Sequence, residues 1–133
     1  MGSPKTLQNK KIDRRSTAAE DSLRLVVDTI PALVVIALPD GSVDFINKGW
    51  RDYTGLPLES LTGWGWNSAI HPDDLARFAQ EWDVARAAGE PFQNQARVRR
   101  ADGAYRWFLI RKTPFRDASG RVAKWYEIGR AHV

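Results

Sequence analysis

The chain has 133 residues, with 20 basic and 16 acidic side chains, six tryptophans, no cysteine and an isoelectric point near 9.7. That length suits one domain burying roughly two thirds of its unfolded surface, and 43% apolar content speaks against general disorder. Zero cysteines removes disulfides, thiolate metal sites and cysteine nucleophiles together. No apolar run approaches the ~20 residues of a membrane helix, and the N-terminus lacks the apolar stretch of a signal peptide. A cytoplasmic location without membrane contact is therefore expected.

The elements follow in chain order. Residues 1–19 are polar and without apolar periodicity, which predicts a flexible linker. Leu23, Val26, Val27 and Ile30 then recur at helical spacing, and Pro31 stops the helix. Leu33 to Leu38 suits a buried strand, Asp40-Gly41 a tight turn, and Val43 to Ile46 the return strand. Asn47 is placed to cap a short helix holding Trp50 and Tyr53 and ending at Gly55. Residues 56–70 read as short helical or irregular pieces, with Gly63 and Gly65 bending the backbone around Trp64 and Trp66.

His71, Pro72, Asp73 and Asp74 form a helix entry: proline suits the first helical position and the carboxylates suit the positive end of the dipole. Leu75, Phe78, Ala79, Trp82 and Ala85 make one apolar stripe that Gly89 closes. Three strands finish the chain: Phe92–Arg100, Ala104–Lys112 and Arg121–Tyr126. In the first, Phe92, Ala96 and Val98 alternate with Gln93, Gln95, Arg97 and Arg99. Two strands, helices and three strands, with no strand–helix–strand repeat, predict an α+β fold rather than a Rossmann-like sheet.

The charge carries little functional information. Residues 1–20 hold five basic and two acidic side chains, and residues 21–133 hold fifteen and fourteen, so the excess lies in the tail. Arg97, Arg99, Arg100, Arg106, Arg111 and Lys112 read as a solvated strip on neighbouring strands, and nucleic acid is not an expected partner. Asp73 and Asp74 diverge by about 100° on a helix and cannot form an acid–base pair. One histidine inside the domain, His71, cannot build a metal site, and its expected role is to satisfy free N–H groups at the helix start. There is no phosphate loop and no nucleophile elbow, so the chain itself is not expected to be an enzyme.

Gly63-Trp64-Gly65-Trp66 running into His71-Pro72-Asp73-Asp74, then Tyr105-Arg106-Trp107-Phe108, then Lys124-Trp125-Tyr126, resembles a PAS domain with a PAC-type C-terminal hairpin, as found in bacterial sensor histidine kinases. Asn47 ahead of a helix ending in Tyr53-Thr54-Gly55 resembles the same pattern. The resemblance covers residues 21–126. It implies five antiparallel strands with short helices packed on one face, and a pocket between them.

Asn47, Trp50, Tyr53, Trp64, Trp66 and Phe78 are the pocket candidates, although large aromatics can equally fill that space, and for any one tryptophan core packing is the favoured reading. Trp107 and Trp125 are expected to face a partner subunit or the entering helix. No cofactor is expected: haem would need His71 as ligand, and adduct-forming flavin photochemistry needs a cysteine.

By this resemblance the chain is a sensory module of a two-component histidine kinase, homodimeric through its parent and open to a small-molecule ligand. Two alternatives remain: a ligand-free dimerisation module, and the input domain of a diguanylate cyclase. Family members usually continue after Lys-Trp-Tyr with Gly-Thr and an Asp-Ile-Thr-like motif. Here Glu127-Ile128-Gly129-Arg130-Ala131-His132-Val133 follows, which one frame of a widely used sequencing adapter (GAG ATC GGA AGA GCA CAC GTC) would encode. The domain is accordingly expected over 20–126, with 127–133 a read-through tail.

Overall fold

The computed structural model describes residues 17–131; the expected linker up to residue 16 and the last two residues of the expected tail lie outside them. The elements are α1 (Ala18–Thr29), β1 (Leu33–Ala37), β2 (Val43–Ile46), α2 (Lys48–Thr54), α3 (Leu58–Leu61), a 3-10 turn (Gly65–Ala69), α4 (Pro72–Ala88), β3 (Phe92–Arg99), β4 (Tyr105–Arg116) and β5 (Val122–Ala131). The strands form one antiparallel sheet in the order β2-β1-β5-β4-β3, so the first and last strands meet near its middle. This is the expected α+β, five-stranded architecture.

Three hairpin turns share one chemistry. Asp40, Asp102 and Asp117 each accept, through a carboxylate oxygen, the N–H two residues on, at 2.9, 3.0 and 2.9 Å. Such Asx turns give the backbone a local substitute for ladder bonds. In the first turn Gly41 takes φ +92°, a conformation costly for any side chain.

The last two strands run further than the sequence predicts. β4 continues past Lys112 to Arg116, and β5 past Tyr126 to Ala131. Register explains both. β5 lies between two partners, with Trp125–Gly129 opposite β1 and Val122–Ala131 opposite β4, so residues 127–129 pair on both sides, while residues 130–131 and the added end of β4 pair along the β4–β5 ladder.

Helices α2, α3, the 3-10 turn and α4 cover the inner face, where Val35, Ile46, Trp50, Trp66, Phe78, Trp82, Phe108 and Trp125 belong to the main core. α1 packs on the other face. Its Val27 joins Val34, Ile36 and Phe45 in a second cluster, with Tyr126 at the edge. The expected apolar stripe of α1 is mostly not buried: Val27 is 8% exposed, but Leu23, Val26 and Ile30 are 38, 57 and 39% exposed, and Leu25 is 69%. α1 meets the sheet and α2 largely through polar side chains instead, with Arg24 pairing with Asp44 of β2 and Asp28 with Arg51 of α2, each at 3.2 Å.

Candidate functional site

A cavity of about 280 Å³ opens on the inner face between the sheet and α4, bordered by Trp64, Trp66, Phe78, Trp82, Lys112 and Trp125, with Val35, Ala37 and Glu127 in its floor. Each wall has a local cause. Phe78 and Trp82 are one turn apart on α4 and project together onto the sheet. Trp125 and Glu127 share the inward parity of β5, as Phe108, Ile110 and Lys112 share that of β4. Gly65 lets the backbone pass close to the Ser60 carbonyl, where a Cβ would collide, and so seats Trp66. Gly41 lies against the rim of the Trp82 indole, where a Cβ would come within 3.1 Å of Nε1.

Lys112 is the unusual member. Its side chain is 8% exposed, and its ammonium lies 3.9 Å from the Trp82 ring centre, with Phe78 and Phe92 at 5.2 and 5.7 Å. Glu127 Oε1 faces it at 3.3 Å, from a side chain 3% exposed. Burial pushes the lysine down and the glutamate up; each partner's charge pulls the other way. Among the described residues Glu127 Oε2 has no hydrogen-bond partner, nor have the indole N–H groups of Trp50, Trp66 and Trp125. At the rim, Asp83 pairs with Arg86 at 3.6 Å.

Three of the pocket candidates, Trp64, Trp66 and Phe78, border this cavity; Asn47, Trp50 and Tyr53 do not. Asn47 is a buried structural knot. Its Oδ1 accepts the N–H groups of Val34 at 3.0 Å and Trp50 at 3.4 Å, and its Nδ2 donates to the carbonyls of Val27 at 3.0 Å and Ala32 at 2.7 Å. It ties α1, β1 and α2 together. Trp50 is fully buried between Tyr53, Trp66 and Phe108, at centroid distances of 5.9, 4.8 and 4.9 Å. Tyr53 donates its hydroxyl to the Val98 carbonyl at 2.9 Å.

The sequence reading missed Trp82, Trp125, Lys112 and Glu127 as cavity residues. For Lys112 a signal existed: it shares strand parity with Phe108 and Ile110, which a lysine in a solvated strip would not. The expected basic strip is corrected accordingly. Lys112 points inward, and Arg97 is engaged by Asp74 and lies over Trp107, 5.0 Å from the ring centre. Trp107 and Trp125 do not share a face either: Trp125 is 1% exposed inside, Trp107 44% exposed outside.

The helix entry performs as predicted in part. His71 Nδ1 accepts the Asp73 N–H at 3.0 Å, Pro72 occupies the first position, and Asp73 stays exposed. His71 does not border the cavity; its ring packs against Tyr105 at 4.5 Å. Asp74 exceeds its expected dipole role. It is buried, accepts the Arg97 backbone N–H at 2.9 Å, and binds both Nε and Nη2 of that guanidinium at 2.9 and 2.8 Å. The Arg97 hydrogen bonds lower its pKa to about 2, against the desolvation of burial. This clasp fixes the start of α4 on β3. Among the described residues no three His, Cys, Asp or Glu side chains cluster to hold a metal, and no helix is long and apolar enough to cross a membrane.

Known proteins resemble this chain in sequence and in fold. The chain is 34% identical over 109 residues, 82% of its length, to the uncharacterised protein y4lL of Sinorhizobium fredii, and 33% identical over 105 residues, 78% of its length, to the peroxide stress-activated histidine kinase mak1 of Schizosaccharomyces pombe. It spans 13% and 6% of those relatives. Among solved structures, the PAS domain of a Colwellia psychrerythraea protein superposes with a TM-score of 0.69 at 19% identity, covering 84% of this chain and 95% of that one. The family described as PAS fold matches residues 43–128, and to that family this chain belongs.

Proposed function

We propose that this PAS domain is the sensory module of a two-component histidine kinase, reading a small molecule in the cavity under α4. One observation carries the reading: β1 and β5 alternate between the cavity and α1. Val35, Ala37, Trp125 and Glu127 border the cavity, while Val34, Ile36 and Tyr126 pack with Val27 of α1. A ligand that repositions Trp125 therefore shifts Tyr126 and the seat of α1. This is the differential contact that a two-state relay requires. The kinase named among the relatives supports this parent over a cyclase.

The exposed Leu23, Leu25 and Val26 of α1, with Ile30 just beyond its end, support homodimerisation, a second copy covering this apolar surface. The parent would work in the cytoplasm, and this domain without haem or adduct-forming flavin, since His71 caps α4 and this chain has no cysteine. Residues 127–133 we hold to derive from adapter read-through, on their match to its translation.

Sequencing the source locus through and beyond the Tyr126 codon tests the parent and the tail together. A phosphoacceptor-histidine helix and an ATP-binding domain downstream are expected. A cyclase domain would overturn the kinase reading, and a genomic codon series for residues 127–133 would overturn the read-through. Sedimentation of the chain against Leu25→Asp with Val26→Asp tests the dimer, which should dissociate; an unchanged mass would overturn the α1 interface.

A further inference from the structure

Lys112 has no place in the fold that its strand requires. At an inward β4 position between core aromatics an aliphatic residue would pack without desolvating a charge, and burying an ammonium costs several kcal/mol unless a partner compensates it. In this chain the compensation is the Glu127 carboxylate, 3.3 Å away. Its second oxygen, Oε2, is buried without a partner. A carboxylate thus occupies the space in front of Lys112, on the cavity floor, without being held there by any other group among the described residues.

We propose that Lys112 is the anion-recognising residue of this cavity, that its ligand is a small planar aromatic monocarboxylate, and that Glu127 occupies the carboxylate position internally. The inference rests on the cavity being a ligand site. Size and walls set the rest of the class. About 280 Å³ lies just under the ~300–1,000 Å³ usual for ligand pockets, which suits one or two rings. Trp66, Phe78, Trp82 and Trp125 border it, and aromatic walls favour a flat ring in edge or offset contact. The ammonium supplies three N–H donors and takes a carboxylate as a point charge, without the two-pronged geometry of arginine. Among the described residues Lys112 is the cation bordering the cavity, and the other charged groups there are the acids Glu127 and Asp83. One ligand carboxylate is therefore what Lys112 can neutralise.

The test compares 2-naphthoate with its neutral isostere 2-naphthamide by isothermal titration calorimetry. The hosts are this chain, Glu127→Gly, Glu127→Gly with Lys112→Met, and Glu127→Gly with Ala79→Leu, all checked for folding by circular dichroism. The Ala79→Leu change adds apolar volume to the cavity from α4 and leaves both charged side chains in place. Naphthoate should bind Glu127→Gly at least tenfold more tightly than the parent chain, and at least tenfold more tightly than either double variant. Naphthamide should bind Glu127→Gly at least tenfold more weakly than naphthoate. Equal binding of acid and amide, or naphthoate binding that survives Lys112→Met, would overturn the ligand class while leaving the cavity a ligand site. No binding of either probe to any folded host would overturn both.

Discussion

The inner face of the sheet carries two tryptophan-rich regions that behave oppositely. At one, Trp50 is fully buried among Tyr53, Trp66 and Phe108, with Gly129 of β5 flat against its ring. At the other, Trp82 and Trp125 meet edge to face at 4.8 Å and leave a cavity beside them, floored by a buried ion pair. The difference lies in what stands opposite the indoles. A glycine on the sheet lets Trp50 descend to contact, whereas Lys112 and Glu127 hold charged heads that an apolar ring cannot displace. α4 bridges the open region, held at its start by Asp74 and Arg97 and at its end by Arg116, which donates to the Gly89 carbonyl at 2.8 Å. Aromatic content alone therefore does not locate a pocket. The residues under the rings do.

The contrast can be broken most forcefully at the filled end. Trp50→Ala should destabilise the domain by about 3–5 kcal/mol, because the cavity it leaves is walled by fixed rings. Urea unfolding measures this, and a loss comparable to a surface substitution would mean the two ends are equally loose. Next comes the ion pair. Glu127→Ala should cost about 3 kcal/mol by stranding a buried ammonium, while Lys112→Met combined with Glu127→Met should come close to the parent stability. A double variant as unstable as the single would show that packing, not charge, dominates there.

The clasp on α4 gives a smaller and pH-dependent effect. The Asp74 pKa of about 2 lies below its ordinary 3.8, so its contribution is complete above about pH 4 and lost as the pH falls through about 2. Asp74→Asn should lower stability by about 1–2 kcal/mol at pH 7, the Arg97 partner being partly exposed. Acid titration of unfolding checks it: the deficit should shrink between pH 4 and 2, and a constant deficit would deny the ion pair its role. Smallest of all, Ala79→Leu should change stability by less than about 1 kcal/mol, since it fills existing space from a half-buried helix position. A large loss would mean the cavity is closed in solution.

Much of this architecture was legible one element at a time. Asn47, Gly55, His71-Pro72 and Gly89 announce helix ends through capping chemistry, and Asp40-Gly41 announces the first hairpin, because each signal acts within a few residues. The parity of Phe92, Ala96 and Val98 likewise named the buried side of β3. Sequence also marked Trp64, Trp66 and Phe78 as cavity candidates, but joined to them Asn47, Trp50 and Tyr53, which the fold uses for its own cohesion.

Other decisions belonged to the tertiary structure. Strand order, with β5 between β1 and β4, carried the last strand to Ala131 and brought Glu127 opposite Lys112. Asp74 reached Arg97 across 23 residues, and α1 buried Val27 while leaving Val26 outside. Local propensity follows from a residue and its neighbours, so the sequence by itself determined the elements and the family. Whether a tryptophan fills space or borders it depends on the residue facing it across the sheet, and that pairing exists only once the chain has folded.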